Sequence, residues 1–167
     1  DVLLIVRELR RAGYDVSFRK VDTPEEMRNA LSKEEWDIIL SDYVMPHFTT
    51  AEALNILKET GLDIPFIIVS GAIGEQTAVE LMKAGAHDFV MKDSLAKLGP
   101  VVQRELRDAD TRRERRQAQE RLKESEERYR LLFQSSPDLV AQVDSGGRFL
   151  IANMAMIRSL GFSSEKE

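Results

Sequence analysis

The sequence predicts an α/β fold in which helices cover both faces of a parallel sheet, followed by a long helix and the opening of a second domain. Three observations carry this. From Asp1 to about Gly99, helix-period segments alternate with short apolar strand-like runs. From Val101 to Phe133 there is neither glycine nor proline, and Arg, Glu, Gln, Ala and Leu dominate. Beyond that stretch, two strand-like runs flank Asp144-Ser145-Gly146-Gly147, a hairpin signal.

Taken in order, Val2, Ile5, Val6 and Leu9 recur at helical spacing up to a stop at Ala12-Gly13. Val16 to Val21 alternates apolar with polar and predicts a strand. Thr23-Pro24-Glu25-Glu26 then supplies an N-cap, a proline at the first helical position and a capping-box glutamate for a helix through Leu31. Asp37-Ile38-Ile39-Leu40 and Ile64-Pro65-Phe66-Ile67-Ile68-Val69 suit strands buried on both faces. Between them Ala51 to Lys58 is helical, and after the Gly71 and Gly74 loop Glu75 to Ala84 is helical again, followed by a strand at Asp88-Phe89-Val90-Met91.

After Gly99-Pro100 one long helix is expected. Asp110 to Gln117 has no large apolar residue, while Leu122, Tyr129 and Leu132 resume a heptad-like stripe. This predicts an interrupted coiled coil and a weak parallel homodimer. Ser135-Ser136-Pro137-Asp138 ends the helix, and Leu139 to Val143 and Arg148 to Ala152 form the hairpin. The residues from there to Glu167 are too few for an independent core.

The length of 167 residues corresponds to one ordinary domain or one and a fraction. With Lys+Arg 24 against Asp+Glu 29, the formal charge of -5 gives no global reason to expect nucleic acid or an anionic membrane as partner. Arg112-Arg113-Glu114-Arg115-Arg116 is basic, but acidic residues recur on both sides, so it reads as a salt-bridged helix face. The absence of cysteine excludes disulfides, thiolate metal sites and thiol catalysis, and a cytoplasmic location is expected. No apolar run approaches the roughly 20 residues of a spanning helix, and no leader pattern opens the chain.

In an open parallel sheet, reactive groups gather at the carboxyl ends of the strands. The residues there are Asp42, Ser70 and Lys92. Taken singly they read as a turn or cap residue, a turn hydroxyl and a solvated charge. Together they suit phosphoryl transfer to a carboxylate, in which cations and donors must match the charge on the transferred oxygens.

At this point the sequence resembles the response-regulator receiver domain of two-component signalling. The resemblance runs through Leu40-Ser41-Asp42-Tyr43-Val44-Met45-Pro46, Ile68-Val69-Ser70-Gly71, and Ala84-Gly85-Ala86-His87-Asp88-Phe89-Val90-Met91-Lys92. It implies a flavodoxin-like (CheY-like) doubly wound sheet of strand order 2-1-3-4-5. It further implies that Asp42 accepts a phosphoryl group from a histidine kinase, that Lys92 pairs with the aspartyl phosphate, and that Ser70 hydrogen-bonds a phosphoryl oxygen. Phe89 is then the switch aromatic, or else an ordinary core aromatic. The resemblance also implies Mg²⁺, held by Asp42, the Val44 backbone carbonyl and a pair of acidic residues closing the first strand. That pair does not appear, because the chain opens in the first helix and Asp1 lies too far into it to substitute. With Asp42 as sole carboxylate, binding would be weak.

Two further departures are Asp93, where the family places proline, and the loop His47-Phe48-Thr49-Thr50, which lacks the customary glycine. His47 and His87 have no metal-spaced partner and read as solvated or structural.

From Glu124 the chain resembles the entry to a PAS domain, through Glu126-Glu127-Arg128-Tyr129-Arg130-Leu131-Leu132-Phe133, Ser136-Pro137-Asp138, Asp144-Ser145-Gly146-Gly147 and Asn153. The ligand of such a domain is unknown. The expected organisation is a receiver over 1–99, a helical linker over 100–134 and the start of a PAS domain over 135–167. The parent would be a hybrid sensor kinase or a cyclic-dinucleotide enzyme. The rival readings are a pseudo-receiver that takes no phosphate and works as a dimerisation or binding module, and a hydrolase with Asp42 as nucleophile, for which no water-activating base can be named. In the receiver order the first strand lies between Val16–Val21 and Asp37–Leu40. The expectation is therefore an upstream strand in that slot, or failing that a strand such as Leu139 to Val143 occupying it.

Overall fold

The apolar spacing at the start of the chain makes α1 (Val2–Arg11), which buries Val6 and Leu9. The computed structural model describes residues 2–45, 47–71 and 74–161. Asp1, Pro46 of the first motif, Ala72 and Ile73 of the glycine loop, and the last six residues of the PAS-like segment lie outside the described residues.

Thr23 caps α2 (Pro24–Lys33) by accepting from the Glu26 amide. The Glu26 carboxylate reaches one residue further back than a capping box requires, to the Asp22 amide at 2.7 Å. A complete capping box forms instead at Thr49 and Glu52, opening α3 (Thr50–Thr60), and α3 closes on Gly61 in the left-handed conformation with φ 68°. The remaining elements of this part are β1 (Ile39–Asp42), β2 (Phe66–Ser70), α4 (Glu75–Lys83) and β3 (Asp88–Met91).

The three strands are parallel in the order β1-β2-β3. Side chains alternate across a strand, so Phe66 and Ile68 meet Leu31 of α2, Leu54 and Leu57 of α3 and Leu81 of α4. Ile67 and Val69 face the other way, with Val90, onto Leu9 of α1 and Leu98 and Val102 of the long helix. Both faces are covered, and every residue of β2 is buried.

Val16–Val21 is not a strand. Its backbone enters no ladder, and its two ends pack against opposite faces of the sheet, Val16 with the Leu9 and Ile67 cluster and Val21 with the Met27 and Phe66 cluster. Among the described residues the strand hydrogen-bonded to β1 is β2 alone. A segment takes extended ladder geometry only where a second backbone lies alongside. Direct pairing of this segment with β1, which would have excluded the receiver topology, does not occur.

A 3₁₀ segment at Lys92–Lys97 leads into α5 (Leu98–Ser135), a single helix of 38 residues. The chain divides into two compact units, Asp1–Arg113 and Glu114–Glu167. The first unit includes the start of α5, where Leu98, Val102 and Ala109 are buried. In the second unit β4 (Ala141–Val143) and β5 (Phe149–Ala152) form an antiparallel hairpin. Within this chain Ala141–Val143 is thus paired with β5. The Asp144 carboxylate closes the hairpin turn by accepting the Gly146 and Arg148 amides at 2.9 and 3.0 Å. Asn153 is fully buried and caps α6 (Met154–Ser159), while its amide group donates to the Ser136 and Asp138 carbonyls.

Candidate functional site

Parallel strands end on one edge, so the register decides which side chains meet there. Asp42 lies opposite Val69 and Ser70 opposite Met91. Asp42, Ser70 and Lys92 accordingly close or follow three adjacent strands. The Lys92 ammonium lies 2.6 Å from Asp42 Oδ2, with the two side chains 26% and 35% exposed. The other carboxylate oxygen, Oδ1, accepts the Val44 amide at 3.3 Å. The Lys92 stem passes Gly71, where an added Cβ would stand 3.7 Å from Lys92 Cδ.

Ser70 closes β2 and is buried. It is 1% exposed, and among the described residues its hydroxyl has no hydrogen-bond partner. Leaving a buried hydroxyl unpaired costs roughly 1 to 3 kcal/mol, a cost removed when an incoming oxygen accepts from it.

Phe89 is 40% exposed, on the β3 edge of the sheet. The core-aromatic alternative is therefore set aside for this conformation. Val44 is exposed, and its amide faces the Asp42 carboxylate. His87 is half-buried, with Nδ1 accepting the Phe66 amide at 3.1 Å, and is structural. Arg112 of the basic run grips the Asp63 carboxylate with Nε and a terminal nitrogen at 3.1 and 2.8 Å, and Arg113 reaches the Asp63 carbonyl at 3.3 Å.

The described residues do not make a magnesium site. Both oxygens of Asp42 are engaged by protein donors, and no group of three His, Cys, Asp or Glu able to hold a metal occurs among the described residues. No helix among them is long and apolar enough to cross a membrane.

Sequence reasoning missed Thr50. Its hydroxyl donates to the Asp42 and Tyr43 carbonyls at 3.1 and 3.3 Å. The Thr49-Thr50-Ala51-Glu52 pattern signals the helix start that places it there, but the hydroxyl's partners lie seven and eight residues back and leave no local trace.

The family model described as the response regulator receiver domain matches residues 2–102. The regulatory protein LuxO of Vibrio cholerae is 32% identical over 78 residues, covering 47% of this chain and 17% of LuxO. The C4-dicarboxylate transport transcriptional regulatory protein DctD of Pseudomonas aeruginosa is 33% identical over 100 residues, covering 55% of this chain and 22% of DctD. The chain thus spans about a fifth of the length of these curated relatives.

Among solved structures, a CheY-like receiver domain protein from Methanospirillum hungatei superposes with a TM-score of 0.56 at 20% identity, over 66% of this chain and 88% of that one. The receiver domain of a Pseudomonas aeruginosa sensor histidine kinase superposes with a TM-score of 0.52 at 23% identity, over 63% of this chain and 87% of that one. That structure is described with a magnesium ion coordinated in the active-site cleft. Both likenesses concern the fold. The family match covers more than half of the chain and falls on the parallel sheet and its flanking helices, and the chain therefore belongs to the response regulator receiver domain family of two-component signalling.

Proposed function

We propose that this receiver domain takes up a phosphoryl group on Asp42 from the phosphohistidine of a histidine kinase. An Asp42 carboxylate oxygen forms the new bond to phosphorus as the phosphorus–nitrogen bond breaks, and the imidazole leaves. Lys92, 2.6 Å from Asp42, follows the charge from the carboxylate to the phosphoryl oxygens in this reading. The Ser70 hydroxyl, buried and without a partner among the described residues, donates to one of them, and this single observation supports the reading most. Phe89, half out of the β3 edge, then changes its packing as Ser70 is drawn toward the phosphoryl group.

The same reading makes α5 beyond the first unit a signalling linker that pairs with a second copy, and the hairpin with α6 the opening of a PAS domain. Support for the latter is the hairpin-then-helix order and the buried Asn153 that ties the Ser136–Asp138 turn to α6. Incubation with acetyl phosphate, with and without Mg²⁺, is expected to label the chain and leave Asp42→Asn unlabelled. Equal labelling of the two would sink the assignment.

A further inference from the structure

We infer that Thr50 is a positioning residue for the Asp42 carboxylate, acting through the Tyr43–Val44 peptide group; this rests on the reading of Asp42 as phosphoacceptor. Thr50 opens α3, is 2% exposed, and touches neither oxygen of the carboxylate. Its one O–H is shared in a three-centre bond between the Asp42 carbonyl at 3.1 Å and the Tyr43 carbonyl at 3.3 Å. The Tyr43 carbonyl and the Val44 amide are the two ends of one planar trans peptide and point in opposite directions. Holding the oxygen on Thr50 turns the N–H the other way, where it meets Asp42 Oδ1 at 3.3 Å. The rotation of the carboxylate is thereby set, with Oδ2 left to Lys92 at 2.6 Å.

Two features make the hydroxyl a fixed reference. The capping box pins the backbone on either side of it, with the Thr49 amide on the Glu52 carboxylate at 2.7 Å and the Glu52 amide on Thr49 Oγ1 at 3.2 Å. A buried β-branched side chain also has little freedom at χ1. Ser41 Oγ reaches the Asp42 carbonyl as well, at 3.0 Å, so that carbonyl keeps a donor if Thr50 loses its hydroxyl. The bond to Tyr43 is the one that matters. In the loop that lacks the family's glycine, Thr50 supplies by a side chain the control over peptide orientation. A nucleophile displaced by about 1 Å loses on the order of 100-fold in rate, so a rotated carboxylate is costly.

The test uses the full chain. Thr50→Val keeps the shape and removes the donor. It is expected to speed solvent exchange of the Val44 amide and to slow acetyl phosphate labelling of Asp42, each by roughly tenfold. Thr50→Ser retains the hydroxyl and should restore both, a rescue that a packing role alone would not produce. If circular dichroism shows Thr50→Val unfolded, Thr50→Ala is read in its place. Unchanged Val44 exchange in the folded hydroxyl-free variant, or a Thr50→Ser variant as impaired as Thr50→Val, overturns the inference. Absence of labelling in the wild type would instead count against Asp42 as phosphoacceptor, while the amide measurement still decides the role of Thr50.

Discussion

His87 accepts the Phe66 amide on Nδ1 at 3.1 Å and returns its own amide to the Phe66 carbonyl at 2.8 Å, a pairing that requires the neutral ring. Burial, and after it the Arg112 guanidinium, depresses its pKa, against the smaller pull of Glu105 and Asp63. The unfolded chain takes up this proton near the ordinary histidine value of about 6.5, and the folded chain resists it. The stabilisation is therefore complete above that value and is lost as pH falls through it toward the lower folded value. The urea midpoint is expected to drop between about pH 7.5 and 5.5, and His87→Asn, which can accept without titrating, should flatten the drop. A wild-type midpoint equal at both pH values would contradict this. Asp63 adds a loss at lower pH still. The hydrogen bonds from Arg112 hold its carboxyl below the ordinary range, so that contribution persists above the ordinary value and fades as pH falls beneath it.

At the scale of elements, α5 differs most from its sequence reading. Gly99-Pro100 signals a break, yet both residues lie in the first turn of the helix. Proline is tolerated there because its missing N–H would have no intrahelical partner. Gly99 has a separate reason: a Cβ built on it would stand 2.6 Å from the Ala12 Cβ, closer than two such carbons approach. The end of α1 and the start of α5 meet at that point because one of them carries no side chain. Gly99→Ala is expected to lower stability by about 1 to 3 kcal/mol, read as a lower urea midpoint at unchanged slope. An unaltered midpoint would show that the two helices separate freely. The burial of Leu98, Val102 and Ala109 also follows helical spacing, so this face of α5 was legible once the helix was extended back through the glycine.

At the scale of the molecule, the second unit leaves large apolar residues in solvent. Leu122, Tyr129 and Leu132 are 60%, 62% and 66% exposed along one stripe of α5. Tyr129 and Phe133 stack at 5.7 Å but do not cover it. A second copy in parallel register would bury the stripe, yet the charged run from Asp110 to Gln117 contributes no apolar knobs. Self-association is therefore expected to be weak and concentration-dependent. Sedimentation equilibrium over a wide concentration range should show the average mass rising, and a strictly monomeric chain at the highest concentration would rule out the pairing.

Asp42, Ser70 and Lys92 could be placed together from the sequence, because parallel strands share one carboxyl edge and each apolar run is followed by its reactive residue. The helices were legible for a similar reason: periodicity, caps and glycine stops are local properties of the chain. Val16–Val21 was not, since alternation supplies a strand's pattern but not the neighbouring backbone that makes it one. The Asp63 clasp joins residues 49 apart, and the Thr50 hydroxyl finds carbonyls whose positions depend on where β1 ends and α3 begins. Composition and spacing therefore determined which segments are helix or apolar strand and which residues stand at the strand ends. Ladder partners, ion pairs and close helix contacts were decided by the packed chain, because each depends on what a distant segment brings alongside.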